Sequence, residues 1–235
     1  MTSRSIKLLQ EAYTSKCSYL DGQESRNVFI DPSEEVDQHL LDTLNINGFR
    51  RSGDLLYRPN CPECTGCKAT RVLSDEFTPS KSQKRILNRN KDLTLSVAMP
   101  QATEEVYALY ERYINLRHFD GDMYPPSPEQ FNAFLCKGFG NTRFLLAHEN
   151  DELVACMVFD ILSDSLSAVY CFFEAEDPKR SLGSFMILSL TRLTQALDMP
   201  YHYLGYWVSG SPKMDYKKNY QPLEVFMGDK WEIIT

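Results

Sequence analysis

The apolar positions of the first hundred residues alternate between helical and strand-like spacing. Within residues 34–47 apolar side chains recur every three or four positions and end before Gly48, which predicts a helix. Residues 79–92 predict a second helix, and Ser80 is placed to cap its N-terminus. The strand-like segments are residues 51–59, 68–77 and 93–99, and the first of them predicts a hairpin around a glycine.

After Pro100 the pattern changes to longer elements. Two amphipathic helices are predicted first, with Thr103 as the N-cap of the first, and three strands follow, the first two joined by a hairpin at Asn150-Asp151. A loop, a long apolar helix and a last strand complete the order. The two helices are residues 102–118 and 127–138, and the three strands are 142–150, 152–162 and 165–175. The loop is 176–183, the long helix is 184–199 and the last strand is 201–208.

This order, with helices before an antiparallel meander and then strand–loop–helix–strand, is the order of the GNAT acyltransferase fold. The sequence therefore predicts an α/β (α+β) fold in which a GNAT-like catalytic domain, residues 99–235, follows a smaller cysteine-bearing α+β domain, residues 1–98.

Composition places the chain among globular proteins of the cytoplasm. Its 235 residues suffice for a core without disulfide staples. No apolar run reaches the roughly 18 residues of a membrane span, and no signal peptide is visible at the N-terminus. The seven cysteines are an odd number, which favours a reducing compartment over a disulfide framework. We therefore expect a cytoplasmic protein without a membrane partner.

Charge is distributed unevenly along the chain. The net charge is −7, which does not favour a polyanionic partner such as DNA. Residues 47–91 nevertheless carry ten Lys/Arg against four Asp/Glu, an excess of six positive charges. Residues 98–235 carry eleven basic and nineteen acidic residues, a net of −8. The basic region fits either a solvated surface or a local nucleic-acid contact.

A cluster of cysteines lies inside the basic region. Cys61, Cys64 and Cys67 are separated by two residues each, the spacing of a metal knuckle, and Cys17 is the one other cysteine in this half. The same spacing matches part of an iron–sulfur run. The alternative is a group of buried thiols that pack as small apolar side chains. We expect zinc or an iron–sulfur cluster as the candidate cofactor here, and no cofactor required for the reaction itself.

Two further stretches suit an RNA end. The predicted helix 79–92 repeats its cations at three- and four-residue steps, so that one face is basic. Residues 203–222 interleave aromatic side chains with lysines, a combination that stacks on bases and pairs with phosphate or carboxylate, or that forms an ordinary tyrosine-rich core edge. The loop 176–183 holds a single glycine, which disfavours a coenzyme A pyrophosphate site.

Five stretches together resemble the bacterial leucine-carrying branch of the arginyl-tRNA–protein transferase family. They are CSYLDGQESRNVFIDP, GFRRSGDLLYRPNCPECTGCKATRV, the segment FTPSKSQKRILNRNKDL, LRHFDGDM, and the run from LSAVYCFF to YLGYWVSGSPKMDYKKNYQPLE. The resemblance implies transfer of leucine from leucyl-tRNA to a protein that begins with Asp or Glu, which marks the product for the N-degron pathway. It also implies metal or iron–sulfur binding in relatives.

The site residues follow as hypotheses. An activated ester and an amine need positioning, a proton acceptor and a cation for the acceptor's carboxylate. The predicted catalytic residues are Asp160, Glu174 and Tyr206. The predicted substrate-binding residues are Arg117 (the first choice for the carboxylate), His118, Trp207, Lys213 and Lys217, with Tyr206 and Trp207 stacking on the terminal adenosine. The predicted tRNA-binding residues are Arg50, Arg51, Lys81, Arg85 and Arg89. The predicted metal ligands are Cys17, Cys61, Cys64 and Cys67.

Two other functions fit parts of the sequence. A coenzyme-A-dependent N-acetyltransferase would use the GNAT-like half, and a non-enzymatic zinc-knuckle RNA-binding protein would use residues 47–91. The second leaves the C-terminal half without a role.

Overall fold

The computed structural model describes residues 5–121 and 123–234. Within those ranges the helices are α1 Gln38–Ile46, α2 Lys81–Arg89, α3 Glu104–Arg117, α4 Pro128–Phe131 and α5 Leu182–Ala196. A π-helical turn, Asn132–Cys136, continues α4, and 3₁₀ turns cover Pro178–Arg180 and Asp215–Asn219. The strands are β1 Leu8–Gln10, β2 Ser15–Lys16, β3 Glu24–Ser25, β4 Asn27–Ile30, β5 Arg50–Ser52, β6 Leu55–Pro59, β7 Cys67–Leu73, β8 Thr94–Ala98, β9 Thr142–Glu149, β10 Glu152–Ile161, β11 Ser165–Phe173, β12 Tyr201–Val208, β13 Leu223–Phe226 and β14 Trp231–Ile234.

Local sequence signals fix the ends of several elements as predicted. The Ser80 hydroxyl oxygen accepts a hydrogen bond from the Gln83 backbone N–H, and the Gln83 side-chain oxygen accepts one from the Ser80 backbone N–H, which forms a capping box for α2. Thr103 caps α3 with one hydrogen bond, which its hydroxyl oxygen accepts from the Val106 backbone N–H. These helices and their caps are confirmed.

Within the described residues the strands form a large sheet, a small sheet and a separate antiparallel pair of β2 and β3. The large sheet has eight strands in the order β14-β13-β7-β12-β11-β10-β9-β8, and the small sheet has four in the order β1-β4-β6-β5. The predicted meander β9–β11, the helix α5 and the strand β12 follow α3 and α4 in the expected order, so the α+β fold with a GNAT-like second half is confirmed. Strands β7 and β8 come from before the predicted boundary at residues 98/99 and belong to the large sheet. The division into two domains at that point stays a prediction.

Helices cover both faces of the large sheet. Alternate residues of β10 point to opposite sides, so Met157 and Phe159 pack with α5, whereas Cys156 and Val158 pack with α3 and α4. A strand buried on both faces is expected to be apolar almost throughout, as β10 is. A third cluster joins the small sheet and α1 to Tyr203 of β12, which brings the N-terminal strands against the middle of the large sheet. Among the described residues, no helix combines the length and apolar character needed to cross a membrane.

Candidate active site

A cleft opens where two neighbouring strands separate. Strands β11 and β12 are parallel, but they pair only over Ser165–Ser167 and Tyr201–Tyr203. Beyond this point β12 follows β7 on its other side, through a register shift between Tyr203 and Gly205. Gly205 has a φ of +77°, a conformation that favours glycine. The strands therefore diverge and leave a cavity of about 940 Å³ between them.

Both halves of the sequence line this cleft. Tyr19, Arg50 and Tyr57 come from the N-terminal part, and Arg117 and Lys213 come from the C-terminal part. A single cavity thus receives cations and aromatic rings from both regions. Its volume lies in the range of small-molecule and cofactor sites, about 300–1,000 Å³.

Arg51 and Asp160 are structural partners, which corrects both predictions for them. The Arg51 guanidinium donates to the two Asp160 carboxylate oxygens at 2.5 and 2.9 Å, and Thr142 donates a third hydrogen bond to Asp160 at 2.7 Å. Both side chains are almost completely buried. Arg51 is therefore unavailable for an RNA backbone. Asp160 accepts three hydrogen bonds and its side chain is only 6% exposed, so it is unsuited to accept a proton from substrate.

Arg50 is also buried, so it too is not a surface contact for a tRNA backbone. Its Nη1 donates to the carbonyl oxygens of Phe49 at 2.5 Å and Asn45 at 3.1 Å. The guanidinium lies over the Tyr203 ring, 4.7 Å from its centroid, and near the Tyr206 ring at 6.0 Å. Its Nε and Nη2 atoms have no hydrogen-bond partner within residues 5–121 and 123–234. Burial lowers the pKa of Arg50, but an arginine remains charged in proteins.

Tyr206 and Trp207 differ from their predicted roles. The Tyr206 hydroxyl donates to the carbonyl oxygen of Gly48 at 2.8 Å. This hydrogen bond connects the N-terminal part of the chain to β12. Trp207 donates through Nε1 to Asp215 at 3.1 Å and is not among the residues that line the cleft. Stacking of this pair on a terminal adenosine is incompatible with these positions, because alternation along β12 sends their side chains to opposite faces of the sheet.

Lys217 lies at the inner end of the cleft. The 3₁₀ turn after β12 buries its side chain, and its Nζ donates to the Tyr206 carbonyl oxygen at 2.6 Å. Burial, together with the charge of Arg50, lowers the pKa of Lys217 to about 7. The amine is therefore partly uncharged near pH 7, and a bound anion would favour its charged form. The substrate-binding role of Lys217 stays a prediction.

The end of α3 lies at the mouth of the cleft. Arg117 and Lys213 are exposed there, and His118 is half-buried, within 3.3 Å of the Tyr113 hydroxyl. Burial, with the charges of Lys213 and Arg117, lowers the pKa of His118 below its usual value. The imidazole is therefore neutral near pH 7, and it suits a proton acceptor better than the cation that the sequence suggested.

Glu174 and Tyr170 complete the lining from β11. Glu174 lines the cleft and pairs with Arg112 at 3.2 Å, with its side chain 29% exposed, so it stays a candidate proton acceptor. Tyr170 was not predicted. Its hydroxyl is buried and has no hydrogen-bond partner in the part of the chain that the structure describes, and burial raises its pKa. The signal that could have found it is its place in the strand LSAVYCFF, beyond Ser167, where the pairing of β11 with β12 ends.

The basic helix α2 lies outside the cleft but is joined to its rim. Lys81, Arg85 and Arg89 are all exposed, as a tRNA-binding surface requires. At its end, Asn90 and Arg180 exchange hydrogen bonds through the Asn90 side chain at 2.8 and 3.1 Å, and Arg89 donates to the Lys179 carbonyl oxygen. Residues 181–183, which follow Arg180 in the chain, line the cleft.

The four predicted metal ligands share a second cavity. Cys17, Cys61, Cys64 and Cys67 line a space of about 930 Å³ on the other side of Tyr206, and all four are free thiols. Burial, then the neighbouring cysteines, raises the pKa of the Cys67 thiol to about 11.

No three cysteine, histidine or acidic side chains in the described parts of the chain converge as a metal ion requires. The thiols as they lie here therefore do not fit a zinc ion or an iron–sulfur cluster, and no step of the reaction is assigned to one. The cofactor stays a prediction.

Comparison with known proteins identifies the family. The model of the arginine-tRNA-protein transferase N terminus matches residues 15–85, and that of the C terminus matches residues 105–227. An aspartate/glutamate leucyltransferase of Pseudomonas fluorescens is 44% identical over 93% of both chains. That of Teredinibacter turnerae is 48% identical over 92% of this chain and 89% of its own, and that of Alcanivorax borkumensis is 45% identical with the same coverage.

One solved structure shares the fold of the larger part of the chain. A conserved protein of unknown function from Bacteroides thetaiotaomicron superposes with a TM-score of 0.51 at 13% identity, over 68% of this chain and 60% of that protein. The two sequence models and the curated relatives extend over most of the chain. The protein therefore belongs to the arginine-tRNA-protein transferase family.

Proposed function

We propose that the protein transfers leucine from leucyl-tRNA to the α-amine of proteins that begin with Asp or Glu. The observation that carries this proposal is the 44–48% identity, over about nine-tenths of each chain, to relatives named aspartate/glutamate leucyltransferases. The donor is leucine in those names, and the acceptors are the two acidic residues. The product, a protein with a new N-terminal leucine, would enter the N-degron pathway in the cytoplasm.

The single cleft supports this proposal. It places cations from both halves of the chain around one cavity that is large enough for an aminoacyl adenosine and the first residue of an acceptor. A transfer between two bound substrates needs such a shared site, because positioning the amine against the ester supplies much of the rate.

The rest of the tRNA would lie across α2. Lys81, Arg85 and Arg89 form its exposed basic surface, and each phosphate contact releases counterions. The hydrogen bonds from Asn90 and Arg89 hold the rim loop against the end of this helix. A tRNA on α2 would thus have its 3′ end directed toward the cleft mouth, where Arg117 and Lys213 are exposed.

The chemistry follows from the groups that face the cleft. The neutral α-amine attacks the ester carbonyl carbon of leucyl-tRNA, and His118 accepts the proton that the nitrogen loses. The Tyr170 hydroxyl donates to the oxyanion that forms on the carbonyl oxygen. The bond from carbon to the ribose oxygen then breaks, and the ribose hydroxyl regains a proton from His118. One amide forms, one ester is lost, and the enzyme returns to its starting state.

A labelled transfer assay separates this function from its alternatives. The protein is mixed with tRNA charged with radioactive leucine and a peptide that begins with Asp, and label is expected in the peptide. A parallel reaction with labelled acetyl-CoA tests an N-acetyltransferase. RNA binding without any labelled peptide, from either donor, would favour the non-enzymatic RNA-binding protein and refute the proposal.

A further inference from the structure

Arg50 carries a buried positive charge that no carboxylate of the described chain neutralises. The other buried arginines are paired: Arg51 with Asp160 at 2.5 Å and Arg71 with Glu224 at 2.6 Å. Arg50 is 6% exposed and bonds only to backbone carbonyl oxygens and the Asn45 side chain. Its Nε and Nη2 atoms, two parts of the guanidinium fork, are without partners within the described residues.

A second cation lies close to it. The Lys217 Nζ bonds to the backbone of Tyr206, whose ring is one of the two beneath the Arg50 guanidinium. The charge of Arg50 contributes to the lowered pKa of Lys217, so the two like charges interact. Both side chains line the cleft between β11 and β12. Two buried cations that repel each other are unfavourable unless an anion joins them.

We infer that Arg50, with Lys217, binds the side-chain carboxylate of the acceptor's first residue and thereby selects Asp and Glu. This inference rests on the proposed function, and it gives to Arg50 the carboxylate role that the sequence favoured for Arg117. A guanidinium with two free donors matches a carboxylate in its planar fork geometry. The flexible Lys217 stem can follow the one-methylene difference between Asp and Glu.

The depth of Arg50 favours a carboxylate over an RNA phosphate. Arg50 lies among Leu41, Leu56 and Tyr57 at the inner part of the cavity, whereas the exposed cations Arg117 and Lys213 lie at its mouth. A short acidic side chain on a mobile chain terminus can enter such a place. In water-poor surroundings the charged hydrogen bond also discriminates most strongly against an uncharged amide.

The kinetic test compares acceptors that differ only in charge. Peptides beginning with Asp and with Asn are used with leucyl-tRNA, and kcat/KM is measured for wild type and for Arg50→Met. We expect the Asp-to-Asn ratio to fall about 100-fold in Arg50→Met, with KM for leucyl-tRNA unchanged. Arg58→Met is the matched control, because Arg58 also lies over an aromatic ring and donates to a backbone carbonyl next to α1, but it does not line the cleft.

Two outcomes for Arg50→Met would overturn the inference, and further outcomes for Arg117→Met and Arg50→Lys would do the same. One is an Asp-to-Asn ratio in Arg50→Met equal to that of wild type. The other is loss of leucyl-tRNA binding with the Asp preference intact, which would assign Arg50 to the RNA end. Loss of the preference in Arg117→Met but not in Arg50→Met would return the role to Arg117 and equally refute it. If Arg50→Met does not fold, Arg50→Lys decides: KM for the Asp peptide should rise about tenfold with the Asn peptide unaffected, and no rise would refute the inference.

A binding measurement separates this inference from the proposed function. Calorimetric titration of the unloaded protein with the Asp and Asn peptides needs no leucine transfer. If wild type binds the Asp peptide more tightly than the Asn peptide and Arg50→Met does not, the carboxylate site is supported even if no label is transferred. Equal binding of the two peptides by wild type, in a protein that does transfer leucine selectively, would contradict it.

Discussion

Replacing Asp160 by alanine should destabilise the protein without a specific effect on the chemical step. The carboxylate accepts two hydrogen bonds from Arg51 and one from Thr142, and the side chains of the ion pair are 2% and 6% exposed. Removing one partner of a buried pair leaves an uncompensated charge, which costs about 3–5 kcal/mol. For a chain of this size such a loss lowers Tm by roughly 6–20 °C.

Urea and thermal unfolding followed by circular dichroism would measure this effect. Arg112→Met is the matched control, since the Arg112–Glu174 pair is 47% and 29% exposed and its loss should cost at most about 1 kcal/mol. The reasoning fails if Asp160→Ala unfolds like wild type. It also fails if that variant keeps its stability while kcat falls by orders of magnitude, because Asp160 would then be acting on substrate.

Three further predictions concern the cleft and α2. Because the pKa of His118 is lowered, kcat should fall only as pH drops below about 6.5, and His118→Gln should remove this acid limb from the profile; a limb that persists excludes His118 as the proton acceptor. Tyr170→Phe should reduce kcat about 100-fold with an unfolding free energy within about 1 kcal/mol of wild type, and unchanged kcat would exclude it as the oxyanion donor. Replacing Lys81 and Arg85 by glutamine should lower the slope of the logarithm of the tRNA-binding constant against the logarithm of salt concentration by about 1.5–2. Lys230→Gln, on the paired Lys230–Glu232 surface, should leave this slope unchanged. A slope in the double variant equal to that of wild type would exclude α2 as the tRNA surface.

Much of the secondary structure could be predicted because its signals are local. Ser80 and Thr103 cap helices through residues three positions away. Asn150 and Asp151 both have positive φ, as a two-residue hairpin requires, and they lie between two apolar strands. Each signal acts within a few residues, so the sequence carries it directly.

The roles of the site residues could be predicted only in part, because long-range partners decide them. Arg50 and Arg51 are neighbours on β5, but strand alternation sends Arg51 to Asp160, 109 residues away, and Arg50 to the tyrosines of β12. Nothing in the local sequence distinguishes the two. The Tyr206 hydroxyl likewise bonds to Gly48 of the opposite half, so a residue that suits base stacking by type serves to join the strands.

The predicted boundary at residue 98 illustrates the same limit for topology. Hydrophobic pattern shows that β7 is a strand, but not that it enters the large sheet between β12 and β13. Nor does it show that the small sheet, which holds Tyr57 and Arg50, packs against β12 and makes the site a product of both halves.

The most direct test of this account is a crystal structure of the protein with adenosine that carries leucine in a stable 3′-amide linkage. The account predicts the leucyl group between β11 and β12, with its carbonyl oxygen within hydrogen-bond distance of Tyr170 and with His118 on the side from which an amine would attack. Binding of the analogue outside this cleft, for example in the cavity lined by the four cysteines, would contradict it.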